Sequence, residues 1–487
     1  MTDRGIPLGL AAGAAVVAVL TAFGAVPEAR QDPRTPWLSA TVRQAAAGEP
    51  VAAWVYFTDK AGATGSATIA ARARDRRLRR GVASAALADG DRDLSRAYVA
   101  RVASMVRRVR HESRWLNAVS VEATPAQIEA LSALSFVARL DVVRRFRRAP
   151  EPIEPLPDGR RSASAAEAAD EPLDYGAAAD QVRQIRVPDL HERGLHGEGV
   201  VVAVFDGGFP NLEHEAFSGM TILAERDFVR GLETVRASTD EHGTNTLSVL
   251  GGYAPGQLIG PAYRASFLLA VTEDSGSETP VEEDHWAAAA EWAEAAGADV
   301  ISSSLGYVEF DSPYTSYTDA DMNGETAVTT RAAARAAERG VVVVNSAGNE
   351  GIDGTDNTLV APGDGLRVLT VGAVNRLGAR TSFSSVGPTA DGRIKPDVMA
   401  MGQGVKVARD VANGYGLAAG TSFSCPLTAG VVALVLQAHP DYTVDQVLEV
   451  LRTTASRADA PDRLFGWGIV NAAAAVDATL PQATPEP

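Results

Sequence analysis

Four residues in this chain carry side chains suited to one and the same reaction. Asp206 closes an apolar run, Val200–Phe205, and is followed by Gly207-Gly208. His242 stands in Asp240-Glu241-His242-Gly243-Thr244, just before a helical run. Asn349 follows a second apolar run, Val341–Ser346, in Ser346-Ala347-Gly348-Asn349. Ser422 lies in Gly420-Thr421-Ser422-Phe423-Ser424-Cys425-Pro426, which opens a long apolar helix. A serine hydroxyl is a weak nucleophile until a neighbouring base takes its proton. A histidine is such a base, and a buried carboxylate fixes its tautomer and steadies the imidazolium that forms. The unpaired N–H groups of a helix start, with an amide such as Asn349, suit the charge that develops on the attacked carbonyl oxygen. Each residue alone has a plainer use: Ser422 as a helix cap, His242 as a loop histidine, Asp206 and Asn349 as turn formers. Cys425, just past Ser422, reads as a small buried apolar residue.

Taken together the motifs have a precedent. The order Asp–His–Ser is that of subtilisin. Gly420–Pro426 resembles the nucleophile signature of the subtilisin-like serine peptidases (subtilases), His242-Gly243-Thr244 their histidine signature, and Ala347-Gly348-Asn349 their oxyanion segment. Ser304-Leu305-Gly306 is similar to the strand that pairs with substrate backbone, and Gly387-Pro388-Thr389 with Lys395-Pro396-Asp397 also recurs in that family. The resemblance covers about residues 175–475, and Trp115–Val143 looks like the end of the family's inhibitory propeptide. It implies a serine endopeptidase made as a zymogen, with Asp206, His242 and Ser422 catalytic and Asn349 in the oxyanion hole. Ser304, Leu305, Gly306, Ser346, Ala347 and Gly348 would then flank the substrate, and Val360 and Ala361 would border the first specificity pocket. Its partners would be protein or peptide substrates and its own propeptide. A catalytically silent subtilase-fold binding module is the alternative, and the intact set of four residues speaks against it. An esterase or acyltransferase using the same triad is a further alternative, disfavoured as an ordinary α/β-hydrolase because Ser422 lacks the Gly-x-Ser-x-Gly elbow. One departure stands out: Gly207 occupies the place where the family usually has Ser or Thr, leaving the aspartate one local hydrogen-bond partner short.

This chemistry requires no cofactor. The resemblance implies calcium as a structural ion, and Asp319, Asp321 and Asn323 are weak candidate ligands in Asp319-Ala320-Asp321-Met322-Asn323-Gly324, the first half of an EF-hand loop. Its twelfth position is Thr330 rather than Glu, so a solvated acidic loop is the plainer reading. Nearby Asp311, Tyr314 and Tyr317 make this insertion a candidate wall of the cleft.

The elements that would hold these residues follow a β-α-β rhythm. Short apolar runs at Val200–Phe205, Phe267–Val271, Asp299–Ser303, Val341–Ser346, Arg367–Val374 and Val405–Ala408 predict strands. Helices are expected over Glu282–Ala296, Glu325–Arg339 and about Thr421–Ala438, with a last one capped by Thr443-Val444-Asp445-Gln446. The fold class is therefore α/β: a subtilisin-like, mostly parallel sheet with helices on both faces. In such sheets ligands bind beyond the carboxyl ends of the strands, where Asp206 and Asn349 stand. Ahead of it, a strand at Pro50–Phe57, an Arg- and Ala-rich helical stretch over 66–110, an alternating run at Trp115–Val121, a helix at Thr124–Leu134 and a strand at Ser135–Val143 suggest a small α+β domain of ferredoxin-like type. Residues 31–47 read as polar and irregular.

Composition bounds the rest. The chain has 487 residues, 46% hydrophobic and 22% charged, so it can bury a large core. Its single cysteine rules out an intramolecular disulfide and a multi-thiolate zinc site. A net charge of −16 makes nucleic acid a poor partner. The charge is segregated: residues 71–150 hold 18 Arg against 8 acidic residues, and residues 151–487 are net −26, which suggests two parts that attract each other. The boundaries expected are 1–30 an export signal or N-terminal membrane anchor, 48–146 the propeptide domain, 147–180 a linker with the processing site, 181–476 the peptidase domain, and 477–487 a tail. The first assignment rests on Arg4 followed by an uncharged stretch, Gly5–Val26, with Ala22-Phe23-Gly24 as a small-residue cleavage site. No second long apolar run is expected after it. The location implied is secreted or periplasmic, or held at the membrane by the anchor.

Overall fold

The computed structural model describes residues 31–46, 48–83, 89–146, 153–155, 173–273, 281–310, 316–354 and 357–480. The segment 1–30, most of the linker, Asp311, Tyr314 and the C-terminal tail beyond 480 lie outside the described residues.

The front domain consists of α1 (Pro36–Gln44), β1 (Val51–Phe57), α2 (Ala71–Arg79), α3 (Arg96–Ala103), β2 (Arg108–Ser113), β3 (Ala118–Ala123), α4 (Pro125–Ser132) and β4 (Val137–Val142). Its sheet is antiparallel with order β2-β3-β1-β4, the ferredoxin-like arrangement. Helix α4 starts on the expected capping box of Thr124 with Gln127. Two readings are corrected. Among its described residues the stretch 66–110 is broken into α2, a helical turn at 89–91, α3 and the start of β2, because β2 (Arg-Val-Arg-His-Glu-Ser) carries polar side chains into an interface that local patterning does not reveal. Residues 36–44 form a helix, with the Thr35 side chain accepting from the Leu38 N–H at 3.2 Å and Pro36 in the first turn.

The second domain is built on a seven-stranded, wholly parallel sheet. Its elements are β5 (Val201–Asp206), β6 (Thr221–Asp227), α5 (His242–Gly251), β7 (Ser266–Val271), α6 (Glu283–Ala296), β8 (Val300–Ser303), α7 (Val328–Glu338), β9 (Val342–Ser346), β10 (Val368–Val374), β11 (Val398–Met401), α8 (Thr421–Ala438) and α9 (Val444–Thr453). The strand order is β11-β10-β9-β8-β5-β7-β6. Val202 and Val204 of β5 pack with α5 and α8 on one face, while Val201, Ala203 and Phe205 pack with α6 and α7 on the other. Helix α8 is long and apolar enough to cross a bilayer, contrary to the expectation of no second such run, but Thr421–Leu436 are buried in the core. The predicted strand at Val405–Ala408 lies outside the main sheet, in a hairpin of Gln403–Ala408 with Tyr415–Ala419. The domain packs from Leu173 onward, since Tyr175 and Ala179 join its core, so the linker gives way to packed chain before residue 180.

The two domains share one interface. Successive β1 side chains point to opposite faces: Val51, Ala53, Val55 and Phe57 fill the front domain's own core, whereas Ala52, Trp54 and Tyr56 belong to the buried cluster that also takes in α6 and α7 of the second domain. Around this apolar face the segregated charges meet. Arg76 and Arg77 bind Glu294, Arg72 and Arg80 bind Asp299, and Arg110 binds Asp284 through Nε at 2.8 Å. Asp284 and Glu294 are almost fully buried, so these pairs are little screened by salt. Tyr317 is buried here as well, accepting from Arg144 at 2.8 Å and donating to Glu283 at 2.8 Å, and is part of the interface rather than an open cleft wall.

Beside Arg110 lies a pair of histidines. The Arg110 guanidinium meets His285 Nε2 at 3.1 Å, and His285 Nδ1 meets His111 Nε2 at 2.7 Å. Arginine only donates, so His285 Nε2 accepts, its Nδ1–H donates to His111, and both rings are neutral. Burial holds both imidazoles below the usual histidine range, His285 down to about 3. A histidine with a depressed pKa stabilises docking above its ordinary value, about 6.5, and that contribution is lost as pH falls towards the depressed value. Burial also pushes Glu283 at this interface up to about 7, which favours docking as pH falls, so the histidine contribution is read as a difference. In the Ser422→Ala chain, replacing both histidines (His111→Gln with His285→Gln) should make the protection of front-domain amides, corrected for intrinsic exchange, drop less from pH 7 to 5 than in the parent. The same slope in both chains would exclude the histidine pair as its source.

Candidate active site

The site forms where β5, β8 and β9 end and α5 and α8 begin. Asp206, the last residue of β5, is fully buried. Its Oδ1 accepts from His242 Nδ1 at 2.6 Å and from the Gly207 N–H at 2.8 Å. Its Oδ2 accepts from the Thr246 hydroxyl at 2.8 Å. Such a charge is tolerated in the interior because each oxygen is hydrogen-bonded. His242 is not in the loop but is the first residue of α5, its N–H bonded to Asp240 Oδ1 at 2.9 Å. With Nδ1 donating to Asp206, the ring presents Nε2 as the basic nitrogen. The ring stands 5.7 Å from that of Phe423, the residue after Ser422.

Ser422 is the second residue of α8 and 2% exposed. Its hydroxyl lies 3.3 Å from the Ser304 carbonyl, and the Ser304 hydroxyl donates to the Ser422 carbonyl at 2.8 Å. The end of β8 is thereby tied to the helix start. Asn349 is oriented from the same place: its Oδ1 accepts from the Thr421 N–H at 2.9 Å and the Thr421 hydroxyl at 3.0 Å. That fixes the carboxamide with its NH₂ end as the donor side. Ser304–Gly306 continues β8 and Ser346–Gly348 ends β9, side by side, with the Asn345 amide bonded to the Leu305 carbonyl at 2.9 Å. Val360 lies against both segments. A Cβ on Gly306 would come within 2.2 Å of Val360 Cγ2, and one on Gly348 within 2.8 Å of Cγ1, so glycine at both places makes room for it.

Cys425 is buried, and burial pushes its thiol up to about 12, which fits an inert packing residue. In the acidic loop the side chains of Asp321 and Asn323 are engaged locally. Asp321 Oδ2 accepts from the Thr318 N–H and hydroxyl, and Asn323 Oδ1 accepts from the N–H groups of Glu325 and Thr326, so both side chains turn back on their own backbone. Asp319 begins the same short turn, and its carbonyl accepts from Asn357. Among the described residues, one group brings metal-ligating atoms together: His111, Asp284 and His285, within 4.8 Å of one another. Arg110 donates to both Asp284 oxygens and to His285, so a cation there would face a guanidinium.

Residues 197–468 match the Subtilase family, and residues 52–154 match the Peptidase S8 propeptide domain, Bacteroidota. Subtilisin of Bacillus pumilus is 31% identical over 306 residues, which are 60% of this chain and 97% of that protein. Subtilisin NAT of Bacillus subtilis subsp. natto is 31% identical over 298 residues, 60% of this chain and 70% of that one. The crystal structure of fervidolysin from Fervidobacterium pennivorans, described as a keratinolytic enzyme related to subtilisin, superposes with a TM-score of 0.61 at 21% identity, covering 90% of this chain and 63% of that one. The chain belongs to the subtilase family of serine peptidases and carries that family's propeptide domain ahead of the hydrolase.

Asp206, His242, Asn349 and Ser422 are candidates from the sequence, whereas the groups that hold them, Thr246, Asp240, Thr421 and the Ser304 contact, were not singled out in that role. A trace of Thr246 was available, since it follows His242 by one helical turn. Asn349→Ala should lower kcat by about 10²–10³ with the fold retained, a magnitude taken from subtilisin's own oxyanion donor. Circular dichroism and single-substrate kinetics check this, and unchanged kcat would exclude Asn349 from the oxyanion hole.

Proposed function

We propose that this chain is an exported serine endopeptidase made as a zymogen, hydrolysing peptide bonds through an acyl-enzyme. Ser422 Oγ attacks the scissile carbonyl, and His242 Nε2 takes the hydroxyl proton and delivers it to the leaving amine. Asp206 holds the imidazole and steadies its charge, and water then cleaves the acyl-enzyme by the reverse sequence of proton transfers. Asn349 and the Ser422 N–H hold the oxyanion at the start of α8. The observation that carries this reading is the 2.6 Å Asp206–His242 bond at the mouth of the helix that bears Ser422. Ser304–Gly306 and Ser346–Gly348 take the substrate backbone by strand pairing.

The front domain is the intramolecular inhibitor, docked by its apolar face and ring of arginine pairs. Two described segments of its C-terminal side support a blocked cleft. Arg145–Phe146 pairs antiparallel with Val281–Glu282, and Ile153–Pro155 pairs antiparallel with Tyr415–Ala419, the strand that leads into Ser422. Cleavage within 147–180 would release it, and the N-terminal segment directs the chain out of the cytoplasm or anchors it at the membrane.

The test is to express the chain and its Ser422→Ala variant and compare them by gel and N-terminal sequencing. The wild type should lose the front domain and the variant keep it. If both stay full length, the reading of a self-processing peptidase fails in favour of a binding module. If both are cut alike, another protease performs the step, and a fluorophosphonate label on Ser422 decides whether it is a nucleophile.

A further inference from the structure

The aspartate of the triad is supported here in an unusual way. Family members usually place Ser or Thr directly after it, whereas this chain has Gly207. The space a side chain would need at 207 is already filled: an added Cβ would lie 2.1 Å from Asp240 Oδ2. Asp240 is itself committed, since its Oδ1 accepts from the His242 N–H at 2.9 Å and its N–H donates to the Ser238 hydroxyl at 3.2 Å. Ser238 in turn donates to the Gly207 carbonyl at 2.8 Å. Position 207 is thus closed to a hydroxyl-bearing residue by the group that anchors the start of α5.

The missing donor comes from α5 instead. Thr246 is one turn beyond His242, so both side chains project from one face of the helix towards the end of β5. Gly243 lets that face come close: a Cβ there would meet the Gly208 carbonyl at 2.4 Å and Asp206 Cβ at 3.0 Å. The Thr246 hydroxyl has two acceptors in reach, Asp206 Oδ2 at 2.8 Å and the Gly243 carbonyl at 3.3 Å. The single proton goes to the nearer, charged oxygen. Among the described residues, Thr246 is the only donor to Oδ2, while Oδ1 has both His242 and Gly207. A carboxylate with one buried oxygen unmet would be free to turn about its Cβ–Cγ bond and take His242 with it.

We propose that Thr246 is a positioning residue for catalysis, holding Asp206 in the plane from which it orients His242, where Gly207 offers no side-chain donor. The inference rests on the triad reading above. It also specifies that one helix, α5, delivers both the general base and the brace of that base's own orienting group.

The test uses the full chain after self-processing, with a soluble peptide substrate. Thr246→Val keeps the shape of the side chain and removes only the hydroxyl. It should lower kcat about tenfold to a hundredfold, the range for a hydrogen bond to a buried charge, with KM within about twofold; the melting temperature should also fall, because a buried carboxylate oxygen loses its donor, so the split between kcat and KM is the readout. Thr246→Ser restores the hydroxyl and should recover most of the lost kcat. The proposal is overturned if Thr246→Val leaves kcat unchanged, if kcat falls only together with a raised KM, or if Thr246→Ser gives no rescue. Wild type and Ser422→Ala run in parallel separate the two levels: equal activity in those two would sink the triad reading itself, whereas a Ser422-dependent activity indifferent to position 246 sinks only this inference.

Discussion

A negative charge buried at the end of the central part of a parallel sheet is the constraint on which the rest of this site depends. Asp206 has no exposure, and a carboxylate taken out of water is tolerable only when its oxygens are met by donors. Meeting them brings α5 against the end of β5 through Gly243, puts His242 on one oxygen and Thr246 on the other, and fixes the turn at Gly207. Once α5 is fixed, α8 must pack beside it beneath the same sheet face, and its start falls opposite the ends of β8 and β9. The reciprocal contacts of Ser304 with Ser422, and of Asn349 with Thr421, are the local consequences.

The opposite face of the sheet answers a different problem. Helices α6 and α7 cover it, Trp286 of α6 packing on Phe205 of β5, and the outer face of α6 in turn presents the buried Asp284, Glu291 and Glu294, which something else must cover. The front domain does so with alternate residues of β1, so a single strand serves two cores. The ion pairs around that contact are poor stabilisers by themselves, because removing both partners from water offsets much of their attraction. What they contribute is registry. Glu294 takes two arginines of α2, Asp299 takes Arg72 and Arg80, and Asp284 takes Arg110 from β2, so helix and strand are each pinned to α6 or to the turn that follows it. The segregation of charge along the chain is the one-dimensional trace of this interface.

Legibility varied with how local the cause of each element was. The strands at Val201–Asp206 and Val342–Ser346 were readable because burial on both faces leaves an uninterrupted apolar run. Helix α8 was readable to the residue, and α4 and α9 through their Thr–Gln capping boxes. Strand β2 was not, since Arg110 and His111 look solvated until α6 is placed against them. The edge strand β6, Thr221–Asp227, was missed for a related reason: only part of it is buried, and its polar residues mask the alternation. Helix α1 was overlooked although Thr35-Pro36 is a helix start, because its short polar sequence buries little beyond Leu38 and Thr41.

The sequence by itself determined the family, the α/β class and the presence of a basic propeptide region in front, and it singled out the candidate side chains in their order. Each of those depends on residue type or on patterns within one element. The tertiary structure alone decided how the reacting groups are held. The hydroxyl at 246 braces Asp206, Asp240 takes the space beside Gly207, the insertion carrying Tyr317 belongs to the interface, and two histidines separated by most of a domain share a hydrogen bond. These are contacts between side chains on different elements, fixed only when helices and strands pack to within a few tenths of an ångström. No pattern along the chain records distances on that scale.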